Sequence, residues 1–187
     1  MPGIIEFETH RLRLRQWHES DRAPFAAMNA DPAVMEFFPA LQSREASDLS
    51  ITAWQSQFAS RGWSNWAVEL LESSQFIGFI GLSVPRRTLP FSPCVEIGWR
   101  LASAYWGNGY ATEGAQAALR VGFERIGLSE VVSFTAVGNL KSRAVMERIG
   151  MANANEDFEH PGVPEGHALR LHCLYRISRG RWRENAA

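Results

Sequence analysis

Three short segments carry residues whose types and spacing could do chemistry. The first, WGNGYA at residues 106–111, places two glycines directly before an alanine-rich segment with helical periodicity. The first N–H groups of a helix have no partner inside it and carry partial positive charge, and glycines let an anion approach them closely. The segment therefore predicts an anion site built from backbone, although a plain turn explains the glycines as well.

The second segment, NLKSRAVMERIGM, begins at Asn139 and follows the apolar run VVSFTAV. Asn139 is placed as an N-cap, whose side-chain oxygen accepts a hydrogen bond from the backbone N–H three residues on. Helical spacing puts Ser142 on the same inward stripe as Val145, Met146 and Ile149. A hydroxyl that faces inward needs a hydrogen-bond partner, which is either the backbone of its own helix or a bound ligand.

The third segment, VEIGWRL at residues 95–101, alternates as a strand does. Its apolar side chains share one face, which leaves Glu96, Gly98 and Arg100 on the other. A carboxylate in such apolar surroundings could take a proton from an amine, directly or through water. An ion pair between Glu96 and Arg100 is the alternative, and it requires no chemistry.

Histidines offer a rival source of a base, because their ordinary pKa lies near neutrality. His160, His167 and His172 lie in or beside the last predicted strand. Each is explained equally well as a surface or strand residue. No histidine or cysteine pair has the spacing of metal ligands, so the sequence predicts no metal site.

Alternating strands and helices must position these residues. Strands are predicted at residues 11–17, 65–72, 74–84, 94–101, 131–137 and 167–178, and helices at 20–31, 43–62, 111–127 and 140–150. Linkers, repeats and low-complexity runs are absent. The pattern predicts one α/β (α+β) domain over residues 1–187.

The bulk properties restrict the class of protein. The 187 residues are 45% apolar and 21% charged, with a net charge of −1. This balance gives no reason to expect a nucleic-acid partner, and no apolar run approaches the ~18 residues of a membrane span. The N-terminal residues lack the pattern of a signal peptide. Cys94 and Cys173 are isolated, which favours buried reduced thiols and a cytoplasmic protein, with a disulfide left open.

Taken together, these segments resemble the Gcn5-related N-acetyltransferases (GNAT), most of all the branch of ribosomal-protein alanine and serine N-acetyltransferases. The resemblance covers roughly residues 8–178. It rests on YWGNGYATEGA, on NLKSRAVMERIGM, and on further motifs in the expected order: T-x-R-L-x-L-R at Thr9–Arg15, W-A-V-E at Trp66–Glu69, IGFIGL at Ile77–Leu82 and VEIGWRL at Val95–Leu101.

The resemblance implies a mixed central sheet of about six to seven strands, flanked by about four helices. Acetyl-CoA would lie in a cleft between two splayed strands. The family's phosphate loop, Gln/Arg-x-x-Gly-x-Gly/Ala, falls on Trp106–Ala111, with Trp106 in place of the usual first residue. The residues then expected at the cofactor are Trp99 and Leu101 along the pantetheine arm, Trp106, Gly107, Asn108, Gly109, Tyr110, Ala111 and Thr112 at the phosphates, Asn139 further along the arm, and Ser142 near the thioester sulfur.

For the chemistry, the resemblance implies direct attack of a primary amine on the thioester carbon. Glu96 is then the candidate base, and Ser142 is the candidate hydrogen-bond donor to the sulfur. Trp63 and Trp66, together with Glu96 and the two early helices, are expected to wall the acceptor pocket.

The acceptor is expected to be either a protein N-terminus or a small amine. Arg86 and Arg87, in a proline-rich loop, favour an acidic protein tail. A CoA-binding sensor without activity is the alternative function, and the presence of both Asn139 and Ser142 argues against it. A homodimer is compatible with the family.

Overall fold

In the computed structural model, which describes residues 3–186, nine strands form one mixed sheet in the order β1-β2-β3-β4-β5-β6-β9-β7, with β8 also paired to β9. Six strands have four residues or more, and three have two, so the sheet exceeds the six or seven strands expected. The strands are β1 (Phe7–Glu8), β2 (Leu12–Arg15), β3 (Asn65–Leu70), β4 (Phe76–Ser83), β5 (Glu96–Leu101), β6 (Glu130–Ala136), β7 (Ala152–Asn153), β8 (Phe158–Glu159) and β9 (Leu171–Ser178).

In the part of the chain that the structure describes, five α-helices accompany the sheet, in place of the four expected, because the last strand leads into a helix that no sequence signal indicated. Ser43 caps the second helix by accepting from the Ala46 N–H, and Gly62 ends it at φ 83°, as predicted. The helices are α1 (Arg22–Asn29), α2 (Arg44–Arg61), α3 (Tyr110–Arg120), α4 (Leu140–Arg148) and α5 (Arg179–Ala186), and a π-helical segment, Val121–Ile126, extends α3.

The helices pack on both faces of the sheet. On one face, α3 lies so close to β4 that a Cβ on Gly114 would come within 2.4 Å of the Ile80 side chain. On the other face, Phe79 of β4 packs against Phe25 of α1 and Trp54 of α2, with ring centroids 6.1 and 4.8 Å apart. The close approach of α3 fixes where its first turn lies relative to the central strands.

One edge of the sheet contains a buried ion network. The alternation in β2 was expected to separate leucines from arginines, and Arg15 is nevertheless 6% exposed. Its guanidinium donates to Asp21 at 2.7 and 3.0 Å and to Glu69 at 2.7 Å. The turn before α1 covers the second face of β2, so Arg15 on that face is paired with carboxylates and is not solvated.

The centre of the sheet opens where β5 meets β6. These are its parallel neighbours, and they pair only at Glu96 and Val132. One residue further along, the Ser133 hydroxyl of β6 links the two strands by donating to the Ile97 carbonyl of β5 at 2.9 Å. Beyond this point β5 pairs with β4 alone. The expected splay between two central strands is therefore present, with one edge of residues 98–101 facing the gap.

Candidate active site

The predicted phosphate loop lies at the start of α3, directly beyond the open edge of β5. Gly107 and Gly109 both have φ of +78°, a left-handed conformation that favours glycine. Gly109 is the N-cap of α3 and supplies no side-chain hydrogen bond to its first turn. A Cβ at Gly107 would meet nothing within 4 Å, and one at Gly109 only an Arg11 nitrogen at 3.6 Å. The backbone here is therefore open to an approaching anion.

Two side chains fix this loop to its neighbours. The Trp106 indole donates to the Leu101 carbonyl at 2.8 Å, which ties the loop to the end of β5. The Asn108 amide donates back to the Tyr105 and Trp106 carbonyls at 3.2 and 3.1 Å. The Asn108 side chain thus shapes the loop in this structure, while the glycines leave it accessible.

A cluster around Glu113 holds the first turn of α3 against the turn before β2. The Glu113 carboxylate accepts from the Thr9 hydroxyl at 2.6 Å, from the Arg11 N–H at 2.9 Å and from the Arg11 guanidinium at 2.7 Å. Arg11 also donates to the Asn108 carbonyl at 3.0 Å and lies over the Tyr110 ring at 4.5 Å. The T-x-R-L motif therefore positions the phosphate loop and places a guanidinium beside it.

A second cation reaches the loop from α4. The Lys141 ammonium lies 4.6 Å from the centroid of the Trp106 ring, which is 37% exposed. This lysine is the only one in the chain. The loop thus lies between Arg11, whose charge is offset by its 2.7 Å ion pair with Glu113, and Lys141, whose positive charge would favour an anion there.

The start of α4 has the predicted capping geometry. The Asn139 side-chain oxygen accepts from the Ser142 N–H at 3.2 Å, and its amide donates to the Thr135 hydroxyl at 2.9 Å. The Ser142 side chain is partly buried, and within residues 3–186 its hydroxyl has no hydrogen bond to the protein. The alternative in which this hydroxyl bonds its own helix backbone is therefore not observed, and the group is available to a ligand.

Glu96 lies on the face of β5 that it shares with Gly98 and Arg100. Its carboxylate accepts a hydrogen bond there from the Ser83 hydroxyl at 3.1 Å. Burial raises the pKa of Glu96 to about 7, and the bond from Ser83 opposes this rise only in part. A carboxylate with such a pKa exchanges a proton readily near neutral pH. The geometry suits a base, and within residues 3–186 no ion pair holds this carboxylate in the charged form.

Arg100 does not pair with Glu96, contrary to the alternative that the sequence left open. Its Nη1 donates instead to the side-chain oxygen of Asn29 at 2.7 Å. The guanidinium stacks on the rings of Phe38 and Phe79, at 4.1 and 5.5 Å. The two charged residues of VEIGWRL thus act separately in this structure.

The prediction that Trp66 walls a pocket is wrong. Trp66 has no exposed surface, because its ring packs edge-on against Phe7 and Phe58 and its indole donates to the Ile5 carbonyl at 2.7 Å. Trp63 is partly exposed beneath the Arg61 guanidinium and stays a candidate. The loop between α1 and α2 instead approaches the cleft, since Phe37 lies 3.8 Å from where a Cβ of Gly138 would be.

The rival histidines belong to an aromatic cluster over β6 and β9. The ring centroids of His160 and His172 lie 4.8 Å apart, and the two rings contact Phe134 and Phe158. Burial and the neighbouring His172 and Arg87 lower the pKa of His160 to about 4, and burial lowers that of His172. The Nδ1 of His167 accepts from the Leu169 N–H at 3.1 Å. The lowered pKa values favour the neutral form of both rings, which pack against aromatic neighbours.

The features around β5 recur in known proteins. A family model described as an acetyltransferase (GNAT) domain matches residues 11–152. The chain belongs to the GNAT acetyltransferase family. The resemblance inferred from the motifs is confirmed, and the protein is an N-acetyltransferase.

Individual proteins are similar to this chain over most of its length. The chain is 33% identical over 152 residues to the uncharacterized protein YkkB of Bacillus subtilis, covering 81% of this chain and 87% of YkkB. It is 30% identical over 186 residues to the FsC-acetyl coenzyme A-N(2)-transacetylase of Aspergillus fumigatus, covering 93% and 76%. A GNAT-family acetyltransferase of Bacillus anthracis superposes with a TM-score of 0.77 at 24% identity, covering 94% and 99%.

In this GNAT protein, sequence reasoning missed the cations at the phosphate loop. Arg11 belongs to a recognised motif, but its contact with Asn108 depends on how β2 docks against α3. Lys141 lies one residue before Ser142, so helical spacing alone directs it away from the inward stripe. Within residues 3–186, no three His, Cys, Asp or Glu residues cluster as metal ligands, and no helix is long and apolar enough to cross a membrane.

Proposed function

We propose that this protein transfers an acetyl group from acetyl-CoA to a primary amine by direct attack. The observation that carries the proposal is the open, glycine-lined start of α3 next to the unpaired edge of β5. Members of the GNAT family use acetyl-CoA, and the relative from Aspergillus fumigatus bears acetyl coenzyme A in its name. Acetyl-CoA supplies the activated thioester, and the chain supplies binding, orientation and proton transfer.

The loop fits the phosphates of such a cofactor. The N–H groups of Tyr110, Ala111 and Thr112 belong to the first turn of α3, where no helical partner exists. A diphosphate at this place would gain from the helix dipole and from Lys141, whereas the charge of Arg11 is offset by Glu113. Gly107 and Gly109 keep the space clear, since a Cβ at Gly107 would meet nothing within 4 Å and one at Gly109 only an Arg11 nitrogen at 3.6 Å.

The open edge of β5 suits the pantetheine arm. Trp99 and Leu101 point their backbone groups toward the gap that β6 leaves, and the Leu101 carbonyl is already taken by Trp106. Amides of the arm would extend the sheet at Trp99 by strand addition. Asn139 would meet the arm from α4, in addition to capping that helix.

We assign the proton transfer to Glu96 and the hydrogen bond to the leaving sulfur to Ser142, the two residues that the sequence analysis selected. Glu96 takes a proton from the amine, directly or through a water molecule, so that the neutral amine attacks the thioester carbon, because the raised pKa of Glu96 is close to working pH. Ser142 donates a hydrogen bond to the departing sulfur, since its hydroxyl has no protein partner within residues 3–186. Holding amine and thioester in contact supplies the remaining rate enhancement.

Two classes of amine are candidates for the acceptor of the acetyl group. A protein N-terminus is favoured by Arg86 and Arg87, which line a surface cavity of about 190 Å³ with the proline-rich loop. A small amine is favoured by the approach of the loop between α1 and α2 to the cleft, where Phe37 lies near Gly138 and Phe38 lies against Arg100. Release of free CoA, measured over a panel of amines and N-terminal peptides, separates these classes. Binding of acetyl-CoA without release from any acceptor would favour the sensor alternative.

A further inference from the structure

Arg100 is a partly buried cation that lacks an anionic partner. Its Nε is inaccessible to solvent and makes no hydrogen bond, and its Nη1 is bound by the neutral Asn29 amide. No carboxylate within residues 3–186 lies in salt-bridge range of this guanidinium. Burial without such a partner lowers the pKa of Arg100 to about 10. An unpaired guanidinium in apolar surroundings is costly, so an incoming anion would be bound strongly there.

The surroundings orient Arg100 toward the acceptor side of the cleft. The side chain lies between Phe38, from the loop joining α1 and α2, and Phe79 of β4. Asn29, at the end of α1, is fully buried and uses its amide nitrogen to donate to the Ser47 hydroxyl at 3.0 Å. These contacts hold the guanidinium still, which reduces the entropy lost when it binds a ligand.

An open space separates Arg100 from the candidate base. Gly98 lies between Glu96 and Arg100 on the same face of β5, and a Cβ there would meet nothing within 4 Å. Four residues of extended strand place the two Cα atoms about 13 Å apart. A proton acceptor and a fixed cation thus flank a space clear of side chains, beside the unpaired edge where the thioester is expected.

We propose that the acceptor is a small amine that also carries a carboxylate, and that Arg100 binds this carboxylate while the amine lies toward Glu96. The inference rests on the proposed acetyl transfer and names its substrate class. A planar guanidinium pairs with a carboxylate through two parallel hydrogen bonds, which fixes orientation as well as affinity. Arg100 is therefore a specificity-determining residue.

The test compares ω-amino acids of two to six carbons with their carboxamides, using free-CoA release at saturating acetyl-CoA. In the wild type, we expect kcat/KM for the best amino acid to exceed that for its amide by about 30-fold, since unpairing a buried charge costs several kcal/mol. In Arg100→Gln this ratio should fall to about one. Arg120→Gln, an exposed arginine of α3, is the matched control and should keep the wild-type ratio.

A second variant keeps the test decisive if Arg100→Gln folds poorly. Asn29→Asp places a carboxylate where an amide oxygen now lies 2.7 Å from the Arg100 Nη1. This internal anion should compete with the substrate's carboxylate and reduce the ratio about tenfold or more, with acetyl-CoA binding unchanged.

The outcomes separate this inference from the proposed function. Equal rates for amino acids and amides in the wild type would overturn the inference and leave acetyl transfer standing. Loss of acetyl-CoA binding in Arg100→Gln would assign the residue to the cofactor, which also overturns it. A preference for acidic N-terminal peptides over every small amino acid would replace the small acceptor with a protein tail. No CoA release from any amine would contradict the proposed function itself.

Discussion

The Glu96 carboxylate accepts a 3.1 Å hydrogen bond from the hydroxyl of Ser83, its cross-strand neighbour on β4. This single neutral donor replaces the ion pair with Arg100 that the strand pattern also allowed. Because a hydroxyl stabilises a carboxylate less than a cation does, burial dominates and the pKa of Glu96 rises to about 7. The contact explains how the residue could act as a base near neutral pH.

The Glu96 assignment predicts a specific pH dependence. Wild-type kcat/KM should rise with pH through about 7, as Glu96 loses its proton and becomes able to accept another. Glu96→Gln should lack this limb and should be about 100-fold slower at pH 8. Deprotonation of the free amine adds a rise at higher pH in both proteins. If kcat/KM of Glu96→Gln still rose with pH near 7, this rise would belong to the titration of another group.

The same pKa shift predicts a pH dependence of stability. The folded protein holds the Glu96 proton up to about pH 7, whereas the unfolded chain loses it near the ordinary glutamate value of 4.5. The free energy of unfolding should therefore fall as pH rises through this window and level off above it. Glu96→Gln removes the penalty, so its free energy of unfolding in urea should exceed that of the wild type by about 3 kcal/mol at pH 8.5, but not at pH 4.5.

The control for this stability measurement is Glu124→Gln, which changes an exposed carboxylate on the π-helical segment. Its urea midpoint should follow the wild type at both pH values. A Glu96→Gln protein that also follows the wild type would show that the folded and unfolded states bind this proton equally.

Ser142→Ala should lower kcat and leave acetyl-CoA binding nearly intact. The hydroxyl has no protein hydrogen bond within residues 3–186, so its removal leaves no buried group unpaired. Loss of a hydrogen bond to a developing thiolate should slow turnover by about 10- to 100-fold. Ser56→Ala, on the exposed face of α2, is the matched control. Wild-type turnover in Ser142→Ala would remove Ser142 from the mechanism.

The ion network beside β2 predicts a stability effect that is independent of catalysis. Asp21→Asn leaves the buried Arg15 with one carboxylate in place of two, which should cost about 3 kcal/mol in urea unfolding. Glu8→Gln breaks a pair between Glu8 and Arg13 in which Glu8 is 53% exposed, and its urea midpoint should stay close to that of the wild type. Equal midpoints for the two variants would mean that the buried network contributes nothing net.

Local signals were sufficient for much of the fold and for the backbone part of the site. The caps at Ser43 and Asn139, the glycines of the phosphate loop and the alternation around Glu96 each express a short-range preference. The prediction that Trp66 walls a pocket was wrong because a strand pattern does not show which helix covers a given face of the sheet. The sequence could not predict the burial of Arg15 or the partners of Arg100 for the same reason, since both depend on contacts with other elements of the fold.

Thermal unfolding in the presence of acetyl-CoA tests the central claim most directly. At about 100 times its Kd, a ligand of the folded state adds ~2.7 kcal/mol, which should raise the Tm of the wild type by several degrees. Gly109→Val should abolish this rise. Gly109→Ala and Gly127→Ala both place a side chain at φ near +80°, at 78° and 84°, so they share the backbone strain, yet only Gly109→Ala should weaken the rise. No shift at millimolar acetyl-CoA in the wild type would contradict the account.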